Sequence, residues 1–293
     1  MVFKFHQHRF DNFNNYYEVI REAMKQLGHS EVVEESPADI HFYNHIVNDS
    51  QSDNMIIVKP TAPTSKHFAL DTLGYANSSS LAFNKPLQVE MRYWPKKDWD
   101  IITDLINKKS NKWDDSILLK WRKPKIKIPE DHILVIGQMP DDETVHGFGF
   151  GDHIVKLKMI VDKLHGENLV IKLHPRYKNP VLVKQWKDAG HTVIDGYISI
   201  HDVLPRTRVA IIDNSTAGIE CLMHQVPIIS YGWPEYHWAT KKLQILTELP
   251  NLVKDLNWYD KEYADNFILW YIHEYLCHNV ESTKARINGI INS

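Results

Sequence analysis

Leu169-Val170-Ile171-Lys172-Leu173-His174-Pro175-Arg176 is an apolar, β-branched run that stops abruptly in polar residues. Val209-Ala210-Ile211-Ile212-Asp213-Asn214-Ser215-Thr216-Ala217-Gly218-Ile219-Glu220 repeats the pattern forty positions later and passes straight into a helix-compatible segment. Continuous apolar runs of this length read as strands buried on both faces of a parallel sheet. Two neighbouring parallel strands bring their carboxyl ends to one crevice, where open α/β sheets place their ligands. The residues at those ends, Lys172, His174 and Arg176 on one side and Asn214, Ser215 and Thr216 on the other, are all able to bind phosphate. The two stretches therefore predict an α/β fold and a phosphorylated nucleotide as the ligand class.

Working outward, short β-branched runs alternate with helix-length amphipathic stretches along the whole chain. In the first half, Val2–His6 and Asp39–Tyr43 read as strands flanking a helix at about 14–27 closed by Gly28. Met55–Lys59 reads as a buried strand stopped by Pro60, and 60–80 as a long, shaped loop. Trp99–Lys108 reads as a helix. Pro124 and Pro129 mark the expected hinge. Beyond it, strands at His132–Gly137, Leu169–Leu173, Thr192–Ile194, Val209–Asp213 and Val226–Tyr231 alternate with helices at Asp152–Leu164, Pro180–Ala189, Ile200–Leu204 and Ala217–His224. That alternation is a doubly wound parallel sheet. Tyr259–His278 reads as one long amphipathic helix. The expected division is 1–127, 128–258, and a C-terminal 259–293 that packs back on the first domain.

The 293 residues allow two domains with separate cores, and 43% hydrophobic with 24% charged residues excludes a disordered chain. No apolar run approaches the roughly 20 residues of a spanning helix, and Met1–His6 lacks a signal-peptide layout. Cys221 and Cys277 do not make a disulfide framework, so buried thiols in a cytoplasmic protein are expected. The net charge of −3 is uneven: 1–127 holds 18 basic against 16 acidic residues, and 128–293 holds 16 against 21. Segment 85–127 holds 12 basic and 6 acidic residues, concentrated at Lys120, Arg122, Lys123, Lys125 and Lys127. It reads either as a solvated linker or as a surface for a polyanion.

Asn214-Ser215-Thr216 presents hydroxyls and backbone N–H groups where strand turns to helix, which suits a phosphate as well as it suits simple capping. At the other strand end, Pro175 forces the chain out of the sheet and fixes the His174 imidazole at the crevice edge. That ring can donate an N–H to a phosphate oxygen. Gln138 ends a third strand with an amide. Glu220, one helical turn past Thr216, is placed to accept hydrogen bonds from ribose hydroxyls.

The order Leu134-Val135-Ile136-Gly137-Gln138, Val170-Ile171-Lys172-Leu173-His174-Pro175, Asp202-Val203-Leu204-Pro205, Asp213–Glu220 and Val226-Pro227-Ile228-Ile229 resembles the capsule polysaccharide synthesis glycosyltransferases, which include Kdo-transferase-like enzymes. The resemblance covers about 130–235. The His-Pro and Ser/Thr motifs are also similar to those of GT-B sialyltransferases and glycerophosphotransferases, whose donors are CMP or CDP compounds. The resemblance implies a GT-B fold, two Rossmann-like domains with an interdomain cleft. It implies sugar transfer from a CMP-, CDP- or UDP-linked donor, with His174, Ser215 and Thr216 on the donor phosphate, Glu220 on the ribose and Gln138 nearby. The nucleotide sugar would be a co-substrate, with no bound cofactor and no metal. A bacterial surface polysaccharide is the expected acceptor.

On the acceptor side, Lys59, Thr61, Thr64 and Tyr75 are the expected contacts. Sugar transfer needs a base for the acceptor hydroxyl. Asp71 is the first choice and His67 the second, against the alternative that Asp71 caps a turn. A hydroxymethylated base in phage DNA is an alternative acceptor, compatible with the basic segment. A nucleotide-sugar epimerase and a non-catalytic nucleotide-binding subunit are further alternatives. Asp98-Trp99-Asp100 formally matches the metal-binding acidic pair of a different glycosyltransferase fold but is short enough to be expected by chance, and the His41/His45 and His273/His278 pairs lack the third ligand or the spacing of a metal site. The oligomeric state is not legible.

Overall fold

The computed structural model describes residues 1–7, 16–32, 36–87, 89, 93–112, 127–146 and 152–292. The chain forms two compact units. One comprises Met1–Pro86, Ser110–Lys112 and Leu269–Ser293, and the other Leu87–Lys109 and Trp113–Ile268.

In the first unit, β1 (Val2–Phe5), β2 (Ser30–Glu31), β3 (Ile40–Asn44), β4 (Met55–Pro60) and β5 (Phe68–Asp71) form a sheet in the order β2-β1-β3-β4-β5. All neighbours are parallel except β5, which runs antiparallel to β4. Strand alternation places Phe3, Phe5, Ile40 and Phe42 in one core. The helix Tyr17–Gln26 closes it with Tyr17, Ile20, Ala23 and Met24, which recur at helical spacing. Gly28, at φ +84°, takes the left-handed conformation that ends that turn.

The segment expected to be loop at 60–80 therefore contains a strand. Phe68-Ala69-Leu70-Asp71 is wholly buried because β4 pairs one edge and the chain near the C-terminus the other. Phe68 and Cys277 exchange backbone hydrogen bonds of 2.9 and 2.8 Å. The helix read across Tyr259–His278 is Lys261–Trp270, followed by a π-helical turn at Tyr271–Tyr275. A further helix, Val280–Ile291, opens on a reciprocal Asn279–Ser282 cap and adds Ile287 to the first unit's core.

In the second unit, β6 (His132–Ile136), β7 (Leu169–Lys172), β8 (Thr192–Ile194), β9 (Thr207–Ile212), β10 (Ile228–Ser230) and β11 (Lys241–Lys242) form a sheet in the order β11-β10-β9-β6-β7-β8. Every pairing is parallel. The chain winds one way from β6 through β8 and the other way from β9 through β11, so the switch point falls between β6 and β9. Ile133, Val135, Ile171, Val209 and Ile211 pack one face against Leu157, Ile160 and Val161 of the helix His153–Lys163. Asp152 caps that helix through Ile154 and Val155 N–H, and Asn179 caps Pro180–Asp188 through Leu182 N–H. Cys221 and Cys277 are both fully buried, and burial raises both thiols. No helix among the described residues is long and apolar enough to cross a membrane.

Candidate functional site

Register brings the polar strand ends of the second unit level. Ile136 pairs with both Lys172 and Ile212, and Ile212 with Ser230. Two residues beyond that line stand Gln138, His174, Asn214 and Gly232. Across the switch point, Gln138 Nε2 donates to Asn214 Oδ1 at 2.5 Å, and Asn214 N–H donates back to Gln138 Oε1 at 3.4 Å. Asn214 Nδ2 donates to Thr144 O at 2.7 Å, and Asp142 accepts from the Thr144 N–H and hydroxyl. Asn214 thus joins two strand ends and does not cap the helix Ala217–Met223, which has no side-chain cap.

His174 is partly exposed, and its Nδ1 accepts the backbone N–H of Arg176 at 3.2 Å. An accepting Nδ1 puts the ring proton of the neutral imidazole on Nε2. Arg176 is exposed. Ser215 and Thr216 are partly exposed, and Ser215 Oγ accepts Ala217 N–H at 3.3 Å. Lys172 is buried at the end of β7. Burial lowers its pKa to about 8, opposed by attraction to Glu220, itself buried on the helix behind. Tyr236 donates its hydroxyl to Ser215 O. It passes so close to Gly218 that any Cβ there would collide with the Tyr236 ring.

Beneath these groups lies a hub that the sequence reading did not single out. Asp213, 1% exposed, accepts from His153 Nδ1 at 3.1 Å and from Lys156 at 3.0 Å. His153 Nε2 accepts Gln138 N–H at 3.0 Å, so the ring proton sits on Nδ1, facing the carboxylate. Burial alone would raise the Asp213 pKa, but the hydrogen bond from His153 and the charge of Lys156 outweigh it, and the net shift is downward. A signal was present. An aspartate directly after an apolar strand run needs buried partners, and His153 and Lys156 lie three apart on one helix face.

The acceptor-side residues of the first unit fall into separate groups. Lys59 donates to His45 Nε2 at 2.6 Å and lies 4.5 Å from the centroid of the Tyr75 ring. Thr61 is buried and 3.4 Å from the Tyr271 hydroxyl, whereas Thr64 bonds His67 Nδ1 at 2.7 Å. Asp71 is 2% exposed. Its Oδ1 accepts the N–H groups of Leu73, Gly74 and Ser80, and its Oδ2 accepts the Ser80 N–H, the Ser80 hydroxyl (2.5 Å) and the Tyr275 hydroxyl. A base must offer a lone pair to the acceptor hydroxyl, and here both oxygens hold the 71–80 loop in place. The geometry assigns Asp71 to loop architecture in place of the base expected from the sequence. His67 is buried and stacks on His278. Burial, with repulsion from His278 and His273, lowers its pKa to about 3, which leaves a neutral and weakly basic imidazole.

Lys120, Arg122, Lys123 and Lys125 lie outside the described residues, and Lys127 is exposed. Asp98, Trp99 and Asp100 sit on the helix Lys96–Asn107. Among the described residues no group of three or more His, Cys, Asp or Glu side chains could hold a metal. A pocket of about 370 Å³ in the first unit, lined by His273, Glu274, Ser282, Ala285, Arg286 and Gly289, contains none of the expected site residues.

Two α/β units, the first on a largely parallel sheet and the second on a parallel sheet with its strand order reversed at a polar switch point, match the GT-B fold. Two solved structures share this fold over nearly their whole length. The Thermosulfurimonas dismutans KpsC β-Kdo 2,4 transferase is 14% identical, with 99% of this chain and 97% of that one covered at a TM-score of 0.55. The β-Kdo 2,7 transferase of the same organism's KpsC is 12% identical, with 99% and 98% covered at 0.54. No protein-family model matches the chain, and no curated protein matches it.

Proposed function

We propose that this protein is a GT-B glycosyltransferase that moves a sugar from a nucleotide sugar to a hydroxyl of a bacterial surface polysaccharide at the cytoplasmic face. The observation that carries the reading is the level row of polar strand ends in the second unit. There Gln138 and Asn214 bond each other across the switch point, and His174 carries its ring proton on Nε2. The whole-length likeness in fold to the two Kdo transferases supports it.

In this reading the donor phosphate lies against His174 Nε2–H, the Ser215 and Thr216 hydroxyls and Arg176. Lys172 adds positive charge from below, and Glu220 accepts from ribose hydroxyls. The bond from the anomeric carbon to the phosphate oxygen breaks, and the donors around that oxygen stabilise the charge that develops on the departing nucleotide. The anomeric carbon bonds the acceptor oxygen, whose proton leaves to a base.

A thermal-shift screen of CMP, CDP, UDP and GDP identifies the nucleotide, because a ligand that binds the folded state raises its apparent stability. His174→Ala is expected to weaken binding of the selected nucleotide by roughly tenfold or more, the effect of one lost charge-assisted hydrogen bond. Its unfolding midpoint should hardly move, since the ring is partly exposed. Full activity and unchanged nucleotide affinity in that variant would overturn the reading. Donor consumption that needs an acceptor separates transfer from epimerisation.

A further inference from the structure

The flank of the second sheet away from His174 gathers a basic group that the donor residues leave unused. Lys156, whose side chain is 18% exposed, bonds Asp213 Oδ2 at 3.0 Å and lies 5.6 Å from the centroid of the Tyr231 ring. Lys242, opposite Ser230 on the edge strand β11, donates to Gly232 O. It lies 5.3 Å from the centroid of the Trp233 ring, which His237 braces at 4.7 Å. Gly232 is pressed so tightly on Asp213 that a Cβ there would collide with Oδ1. These contacts place two ammonium groups around one carboxylate at the carboxyl ends of β9, β10 and β11.

The charges do not cancel. His153 bonds Asp213 as a neutral ring, so the cluster of Lys156, Lys242 and Asp213 carries one excess positive charge. The carboxylate that acts on Lys242 is Asp213, and Lys156 opposes it. Burial, the largest influence on Lys242, lowers its pKa and outweighs the attraction of Asp213. A half-buried excess charge is relieved by a bound counter-charge. Trp233 is 42% exposed, and Lys156 and Lys242 are each partly exposed. Lys242 and His174 are separated by four strand spacings, about 19 Å, so one phosphate does not reach both.

We infer that Lys156 and Lys242 form an oxyanion subsite, for a phosphoryl or carboxylate group, at the β10–β11 end of the second sheet. The inference stands on this edge alone. It is read from binding without turnover, and its failure leaves the sugar-transfer reading untouched.

The test titrates inorganic phosphate, and separately acetate, into the protein at ionic strength held constant with sodium chloride, following tryptophan fluorescence and the unfolding midpoint. A saturable response to either anion is expected, and which anion produces it identifies the group that binds. Lys242→Met, which keeps the apolar stem, should weaken the response about tenfold, and Lys242→Arg should preserve it. Trp233→Phe should lose the fluorescence change but keep the thermal shift. Lys242→Gln repeats the measurement if Lys242→Met alone lowers the midpoint. A response no larger than the chloride control, or one unchanged in Lys242→Met and Lys242→Gln, overturns the inference.

Discussion

At the carboxyl edge of the second unit, hydrogen bonds run from one strand end to the next. Gln138 bonds Asn214, and His153 joins Gln138 to Asp213. At the strand ends of the first unit, bonds form separate pairs and a closed loop. Lys59 bonds His45, His6 bonds His41 at 2.9 Å, and Asp71 gives both oxygens to the 71–80 loop and the Tyr275 hydroxyl. The residue types are alike in the two places. What differs is whether polar side chains close in separate pairs and loops or join into one run along the strand ends. The first arrangement builds architecture, and the second fixes groups in a row where a ligand can meet several at once.

The largest test of this contrast is Asp71→Ala. It strips partners from the buried Gly74 N–H and the partly buried Leu73 and Ser80 N–H groups and should lower stability by about 3 kcal/mol or more, read from denaturant midpoints. If Asp71 were a base instead, Asp71→Asn would keep the wild-type midpoint while activity collapsed.

Next in size is an acid scan of stability. His67 and His224 have folded pKa values lowered to about 3 and about 4 from 6.5, in both cases first by burial. Below 6.5 the unfolded chain binds protons that the folded rings refuse, so stability falls as pH drops from 6.5 toward 4. His224→Gln should flatten the part that belongs to the second unit, and His67→Gln the part that belongs to the first. An unchanged slope in both would contradict the burial of these rings.

The smallest expected effect is at the surface. Lys184→Ala removes the exposed pair with Asp188 and should change stability by about 0.3–0.5 kcal/mol. A loss above 1 kcal/mol would show that ion pairs matter in the second unit without spanning strands.

Much of the second unit was legible because its signals are local. Apolar runs marked β6, β7 and β9 to within two residues, and the polar residues after them ended up level. The first unit hid more. Phe68–Asp71 is too short, and too closely set among Pro, Thr, Ser and Gly, to read as a strand, and its pairing with Cys277 depends on the far end of the chain. Asp71 looked like a base because a sequence shows a carboxylate but not the N–H groups that surround it. Asp213 was passed over for the converse reason: it stood within a quoted motif, while its partners lay on another helix.

The sequence by itself determined the strand–helix alternation, the parallel winding of the second sheet and which residues stand at its strand ends. Periodicity and the punctuation of apolar runs are properties of neighbours along the chain. The tertiary structure alone decided which of those residues are tied down and which face a ligand. His153 and Asp213 are 60 positions apart, and Arg286 donates to Leu70 O across 216. Such contacts follow from how buried polar groups find partners once the chain is folded, and no local pattern encodes them.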